Sequence, residues 1–270
     1  MRLRAIAPVT ALALGLFGSA ALAQAEVAQR GNLRVSFSGA LNPKKLPREG
    51  AAPISVQLGG RIFTTDGSDP PALSKIEIAI NRAGRLEPKA LPTCRLGQIQ
   101  PASTDYARRV CGAARVGEGT FDASIAIPEQ SPYPSQGTVT AFNGVQGGRP
   151  VIFLHIYGAE PVPTSFTLPL SFVRGDGSFG TVLRGELPSV DTHVGFVTGI
   201  SLRLGGGRPA SRLYLTSGCP APKGFSGAAF PLVRASFAFT EGPILSSTLM
   251  RSCTARDEHR LAQNPRRRHS

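Results

Sequence analysis

Few side chains in this sequence are placed to move a proton. Of four histidines, His155 and His193 fall inside the expected folded body, so a Ser-His-Asp relay or a histidine-bound metal has to use one of them. In Asp191-Thr192-His193 a strand would set the carboxylate and the imidazole on one face, where the first can orient the second. A plain loop end explains the same residues with fewer assumptions. His155 alternates with apolar neighbours in Val151-Ile152-Phe153-Leu154-His155-Ile156-Tyr157, the setting of a buried structural histidine rather than of a base. Glycoside hydrolysis needs two carboxylates about 5 to 10 Å apart, and Glu160, Asp176, Glu186 and Asp191 are the central acids from which such a pair would come. Their spacing selects no two of them. The sequence has no G-x-S-x-G elbow, and its even number of cysteines argues against a free thiol nucleophile. These residues exclude no enzyme outright, but they weigh against one.

Two further stretches resemble ligand motifs and read better as turns. Gly175-Asp176-Gly177-Ser178-Phe179-Gly180 matches G-x-G-x-x-G, yet the dinucleotide motif must open a helix, and Thr181-Val182-Leu183-Arg184 continues as strand. Asp176-Gly177 is a strong hairpin signal, and the Arg174-Gly175-Asp176 tripeptide at that tip is common by chance. Asp66-Gly67-Ser68-Asp69-Pro70 offers oxygens to calcium but lacks the further regularly spaced acids of a calcium loop, and an Asx-turn accounts for it. Cys94, Cys111, Cys219 and Cys253 permit three pairings. Pairing of nearest neighbours is favoured, and with no C-x-x-C and no nearby histidine a zinc site is not. No metal and no cofactor is implied.

The elements that would carry these residues are strands. Period-two alternation runs through Leu33, Val35 and Phe37, through Ile76, Ile78 and Ile80, through Phe121 to Ile127, through Ile200, Leu202 and Leu204, and through Ala235, Phe237 and Phe239; each pattern buries one face. Val151 to Tyr157 is apolar on both faces, as for a strand covered on each side. About a dozen strands separated by Gly/Pro turns predict an all-β fold, a two-sheet antiparallel β-sandwich of jelly-roll or immunoglobulin-like type. One short helix is expected, capped by Ser103 or Thr104, with its body at Tyr106 to Cys111 and a stop at Gly112. Pro128 to Pro134 reads as an ordered loop.

Residues 1–25 have the form of a signal peptide: Arg2 and Arg4, an apolar stretch from Ala5 to Leu22, and Ala21-Leu22-Ala23 or Ala23-Gln24-Ala25 as the cleavage site. Residues 26–253 then form one β-sandwich domain, with a subdivision near Gly117 as the alternative, and 254–270 a disordered basic tail. No apolar run after residue 25 approaches the length of a membrane span. The chain carries a formal charge of +13, with no Trp and only four Tyr to make a flat sugar platform. Glu26 to Cys253 holds 23 Lys+Arg and 15 Asp+Glu, hence +8. A basic body attracts anionic polymers by a salt-sensitive force.

Leu46-Pro47-Arg48, Thr64-Thr65-Asp66-Gly67, Ile78-Ala79-Ile80-Asn81-Arg82, Leu91-Pro92-Thr93-Cys94, Val116-Gly117-Glu118-Gly119, Ala141-Phe142-Asn143-Gly144 and Cys219-Pro220-Ala221-Pro222 together resemble a family of uncharacterised secreted proteins of high-GC bacteria. The resemblance covers most of the mature length but not the Arg-rich end. It implies an extracytoplasmic all-β protein with paired cysteines and supplies no catalytic residue. The expectation is therefore a secreted, non-catalytic protein, extracellular or associated with the cell wall. Its partner would be an anionic cell-wall polymer or polysaccharide, and not nucleic acid. The alternative is a secreted hydrolase of polysaccharide or peptidoglycan working through a carboxylate pair.

Overall fold

The computed structural model describes residues 25–125, 129, 131–187, 195–205 and 214–256. The expected signal peptide therefore lies outside the described residues. Alternating side chains produce long strands, and thirteen of these join in one sheet. Its order is β1 (Glu26–Arg30), β2 (Leu33–Asn42), β5 (Ser55–Thr64), β13 (Phe196–Gly205), β8 (Arg115–Ile125), β9 (Tyr133–Gln146), β10 (Arg149–Gly158), β11 (Thr164–Arg174), β12 (Phe179–Glu186), β6 (Leu73–Asn81), β15 (Gly227–Phe239), β16 (Leu245–Arg256) and β3 (Lys45–Pro47). Neighbours are antiparallel except β16 and β3. The expected β-rich class holds, with one large sheet in place of two stacked ones. This sheet curls until its ends face each other: β16 lies beside β1 and β2, and Arg251 Nε donates to the Gly39 carbonyl at 2.7 Å.

Backbone irregularities make the curl. Register shifts interrupt the ladders at Arg115/Gly117, Val197/Gly199 and Pro231/Val233, and such bulges bend and twist a sheet. Close strand approach does the rest. A Cβ on Gly119 would overlap the Ser201 carbonyl of the neighbouring strand, so only glycine permits that spacing. The inward faces then meet across the interior, where Phe37 and Phe237 pack edge to face with ring centroids 6.2 Å apart. Val35, Val139, Leu183 and Leu249 around them are fully buried, each such side chain contributing roughly 1.5–3 kcal/mol.

Antiparallel order gives the curled sheet two distinct rims. The strands β2, β6, β9, β11, β13 and β16 end at one of them, and a small sheet of β4 (Ala52–Pro53), β14 (Leu215–Ser217) and β7 (Gly84–Leu86) closes it. The Cys219–Cys253 disulfide ties the loop after β14 to β16 there, and Cys219 N–H donates to the Pro47 carbonyl at 2.9 Å. The opposite rim has no such plug among the described residues.

A helical insertion covers the outside of β9 and β10. It holds α1 (Leu96–Ile99) and α2 (Thr104–Cys111). The predicted cap is present on α2, where Ser103 Oγ accepts from Tyr106 N–H at 3.3 Å; Asp105 in the first turn and Arg108 and Arg109 in the last suit the helix dipole. The Cys94–Cys111 disulfide staples the insertion. Asn143 anchors its approach by donating to the carbonyls of Pro88, Leu91 and Pro92 at 2.8, 3.2 and 3.1 Å. Ile99, Ala107, Phe142 and Phe153 form a second, smaller core beneath it, which is why β10 is buried on both faces. Strands from either side of Gly117 interleave in the one sheet. β16 runs on through Arg256, so the first residues of the expected tail are strand; residues 257–270 lie outside the described part.

Candidate functional site

Among the described catalytic candidates Asp176 stands apart, while Glu160 and Glu186 share the open rim, at strands separated only by β11. Asp191 and His193 lie outside the described residues. Glu160 follows β10 at the open rim, where Tyr133 donates its hydroxyl to Glu160 Oε2 at 2.9 Å and has its own pKa raised by that carboxylate. Asp176 sits at the opposite rim, beyond the far end of β11. The 11 residues of that strand span about 33 Å at ~3.3 Å per residue, so Glu160 and Asp176 cannot flank one glycosidic bond. Glu186 ends β12 at the open rim, in register with Lys75, and β12 likewise separates it from Asp176. The Asp176 turn is the expected hairpin: Phe179 N–H donates to the Asp176 carbonyl at 2.8 Å, and Gly177 takes φ +52°. Its carboxylate is exposed, 3.8 Å from Arg234.

The Asp66 loop is an Asx-turn. Asp66 Oδ1 accepts from Ser68 N–H at 3.0 Å and from Ser68 Oγ at 2.7 Å, while Asn32 Nδ2 donates to Oδ2 at 2.8 Å. The Ser68 hydroxyl first, then the Asn32 amide, hold this carboxyl well below the usual range. Its oxygens are committed to Ser68 and to Asn32 of the β1–β2 turn. All four cysteines are in disulfides, and among the described residues no three His, Cys, Asp or Glu side chains gather around a common point.

His155 is fully buried on the outer face of β10. The sheet register sets it between Thr140 on β9 and Thr167 on β11, a polar row beneath α1. Neither ring nitrogen and neither threonine hydroxyl has a well-formed hydrogen bond among the described residues. Burial pushes the imidazole's pKa down, and the backbone of Ile99 offsets this only in part. A neutral ring closed off from solvent is a structural group.

Family models, curated proteins and solved structures were compared with this chain, and none matched.

What the fold does assemble is a separation of charge. The closed rim gathers exposed Lys44 and Lys45 after β2, Arg82 and Arg85 around β7, Arg149 at the start of β10, Arg174 at the end of β11 and Arg203 near the end of β13. Acids there are fewer, and Glu118 and Asp176 already face Arg115 and Arg234. The open rim displays Asp66, Asp69, Glu160, Glu186 and Glu241 against Arg30 and Lys75. At the closed rim a surface concavity of about 310 Å³ is lined by Arg82, Arg85, Glu87 and Thr181. Arg174, in register with Thr181, stands beside it. Sequence reading found the net charge but not its placement, because residues far apart in the chain reach one rim only through the alternation of strand direction.

Proposed function

We propose that this is a secreted, non-catalytic protein that holds an anionic polymer of the cell envelope against its closed, basic rim. The observation that carries the reading is the excess of exposed arginines and lysines over acids at that rim, against an excess of acids at the other. A polyanion laid across it meets many weak attractions at once, and none has to be buried. Two disulfides suit an oxidising compartment, and the form of residues 1–25 together with the resemblance to secreted proteins supports export. For the alternative, a carboxylate-pair hydrolase, any pair that includes Asp176 is disfavoured because Asp176 is a strand's length away from Glu160 and Glu186, which leaves those two at the open rim as its remaining described pair.

The test is retention on immobilised polyphosphate, with neutral dextran as the control matrix. Retention is expected on polyphosphate alone and should weaken steadily as salt shortens the screening length to about 3 Å near 1 M. Arg85→Glu with Arg174→Glu should weaken it at least about tenfold at low salt. Equal retention on dextran, or indifference to salt, would sink the reading.

A further inference from the structure

The interior of the curled sheet is not filled up to its open rim. A void of about 80 Å³ lies there, with Phe37, Leu154 and Phe237 deep in its wall and half-buried Leu73, Phe166 and Val197 at its edge. Every lining side chain is apolar, the remainder being glycine. Water is a poor occupant of such a space: it has room, at about 10–15 Å³ per molecule on the same measure, but not the two to four polar partners it needs. A second void of about 30 Å³ shares Leu58 and Ile78 with the first and continues toward the small sheet. The space is thus drawn out along the axis of the curl, narrow rather than round.

We propose that this chamber binds a single unbranched hydrocarbon chain whose polar end carries no negative charge and stays at the open rim. The chain fits the slender space, and nothing in the wall of the first void offers a polar group a partner. An end without negative charge follows from the rim, where Asp66, Asp69, Glu160 and Glu186 outnumber Arg30 and Lys75 and repel a carboxylate or phosphate. This inference stands on the opposite end of the molecule from the polymer-binding rim, so either can fail alone.

The chain contains no tryptophan, so Phe166→Trp places a unique indole at the edge of the void. Titration with 11-bromo-1-undecanol should quench that indole saturably at one equivalent. In a series of unlabelled alcohols competing for the site, affinity should rise about fourfold per methylene until the chamber is full. A Cβ on Gly60 meets Phe237 and Ile200 only at ordinary contact, 3.7 and 3.8 Å, so Gly60→Leu in the Phe166→Trp background grows into the void and should abolish quenching while both disulfides and the circular-dichroism spectrum persist. If that variant does not fold, Val197→Phe at the edge makes the same demand. Quenching that never saturates, or that survives in a folded blocked variant, overturns the site. The brominated undecanoate should bind at least about threefold more weakly than the alcohol at low salt; equal affinity overturns the exclusion of an anionic end.

Discussion

Among single residues, His155 is the described histidine whose protonation the fold opposes. Its ring is buried with Thr140 and Thr167 beside it and no carboxylate facing it among the described residues, and desolvation lowers its pKa below the ordinary 6.5. In the unfolded chain the ring takes up a proton near pH 6.5; in the folded chain it does so only at lower pH. Between those two values the unfolded state binds the extra proton, so this group leaves stability intact above pH 6.5 and removes it as pH falls, by at most ~1.4 kcal/mol per pH unit. Urea midpoints at pH 7.5 and 5 should therefore differ more in the native protein than in His155→Gln; equal differences would show that the ring is already solvated. The apolar setting of His155 was legible from its neighbours in sequence. The polar row was not, because Thr140 and Thr167 reach it only by cross-strand register, and register is invisible in a one-dimensional pattern.

At the scale of elements, the strands were legible and their closure was not. Leu33, Val35 and Phe37 announce a strand with one dry face, and β2 is that strand. The same alternation is equally compatible with a face packed on a second sheet or curled onto its own continuation. The choice is made by Gly119 and the bulges beside Gly117 and Gly199, which carry no hydrophobic signal. The two helices divide in the same way. α2 has a cap, a charge gradient and a stop, all local signals, whereas α1 has four residues, too few for periodicity, and persists because Ile99 is buried and Cys94 is tethered. Removing that tether is informative. The disulfide closes a loop of 17 residues, worth about 3 kcal/mol in the chain-entropy model, but the insertion has its own small core apart from the interior of the sheet. Cys94→Ser with Cys111→Ser should therefore raise amide exchange across Leu96–Cys111 and leave β2, β5 and β13 protected. Exchange rising equally in those strands would mean that the insertion is integral to the main core.

The molecule as a whole is a curled sheet with unlike ends, and its topology bears on how it unfolds. A boundary near Gly117 would leave β1, β2, β3, β5 and β6 on one side, yet β5 is hydrogen-bonded to β13, and β6 lies between β12 and β15. Each half alone falls into separate pieces, β1-β2-β5 apart from β6 in the first and the six strands from β13 to β12 apart from β15-β16 in the second. Separating them would also open the shared interior, where Phe37 of the first half rests on Phe237 of the second. Two units that share both backbone ladders and a core lose their stabilisation together, so residues 26–256 should unfold in one cooperative step with coincident far-ultraviolet and tyrosine-fluorescence transitions. The midpoint should rise when the interior chamber is occupied, because a ligand held by strands from both halves binds only the assembled sheet. A first transition that releases residues on one side of Gly117 while the other side stays folded would restore the two-unit reading, and limited proteolysis at that transition would recover the surviving half.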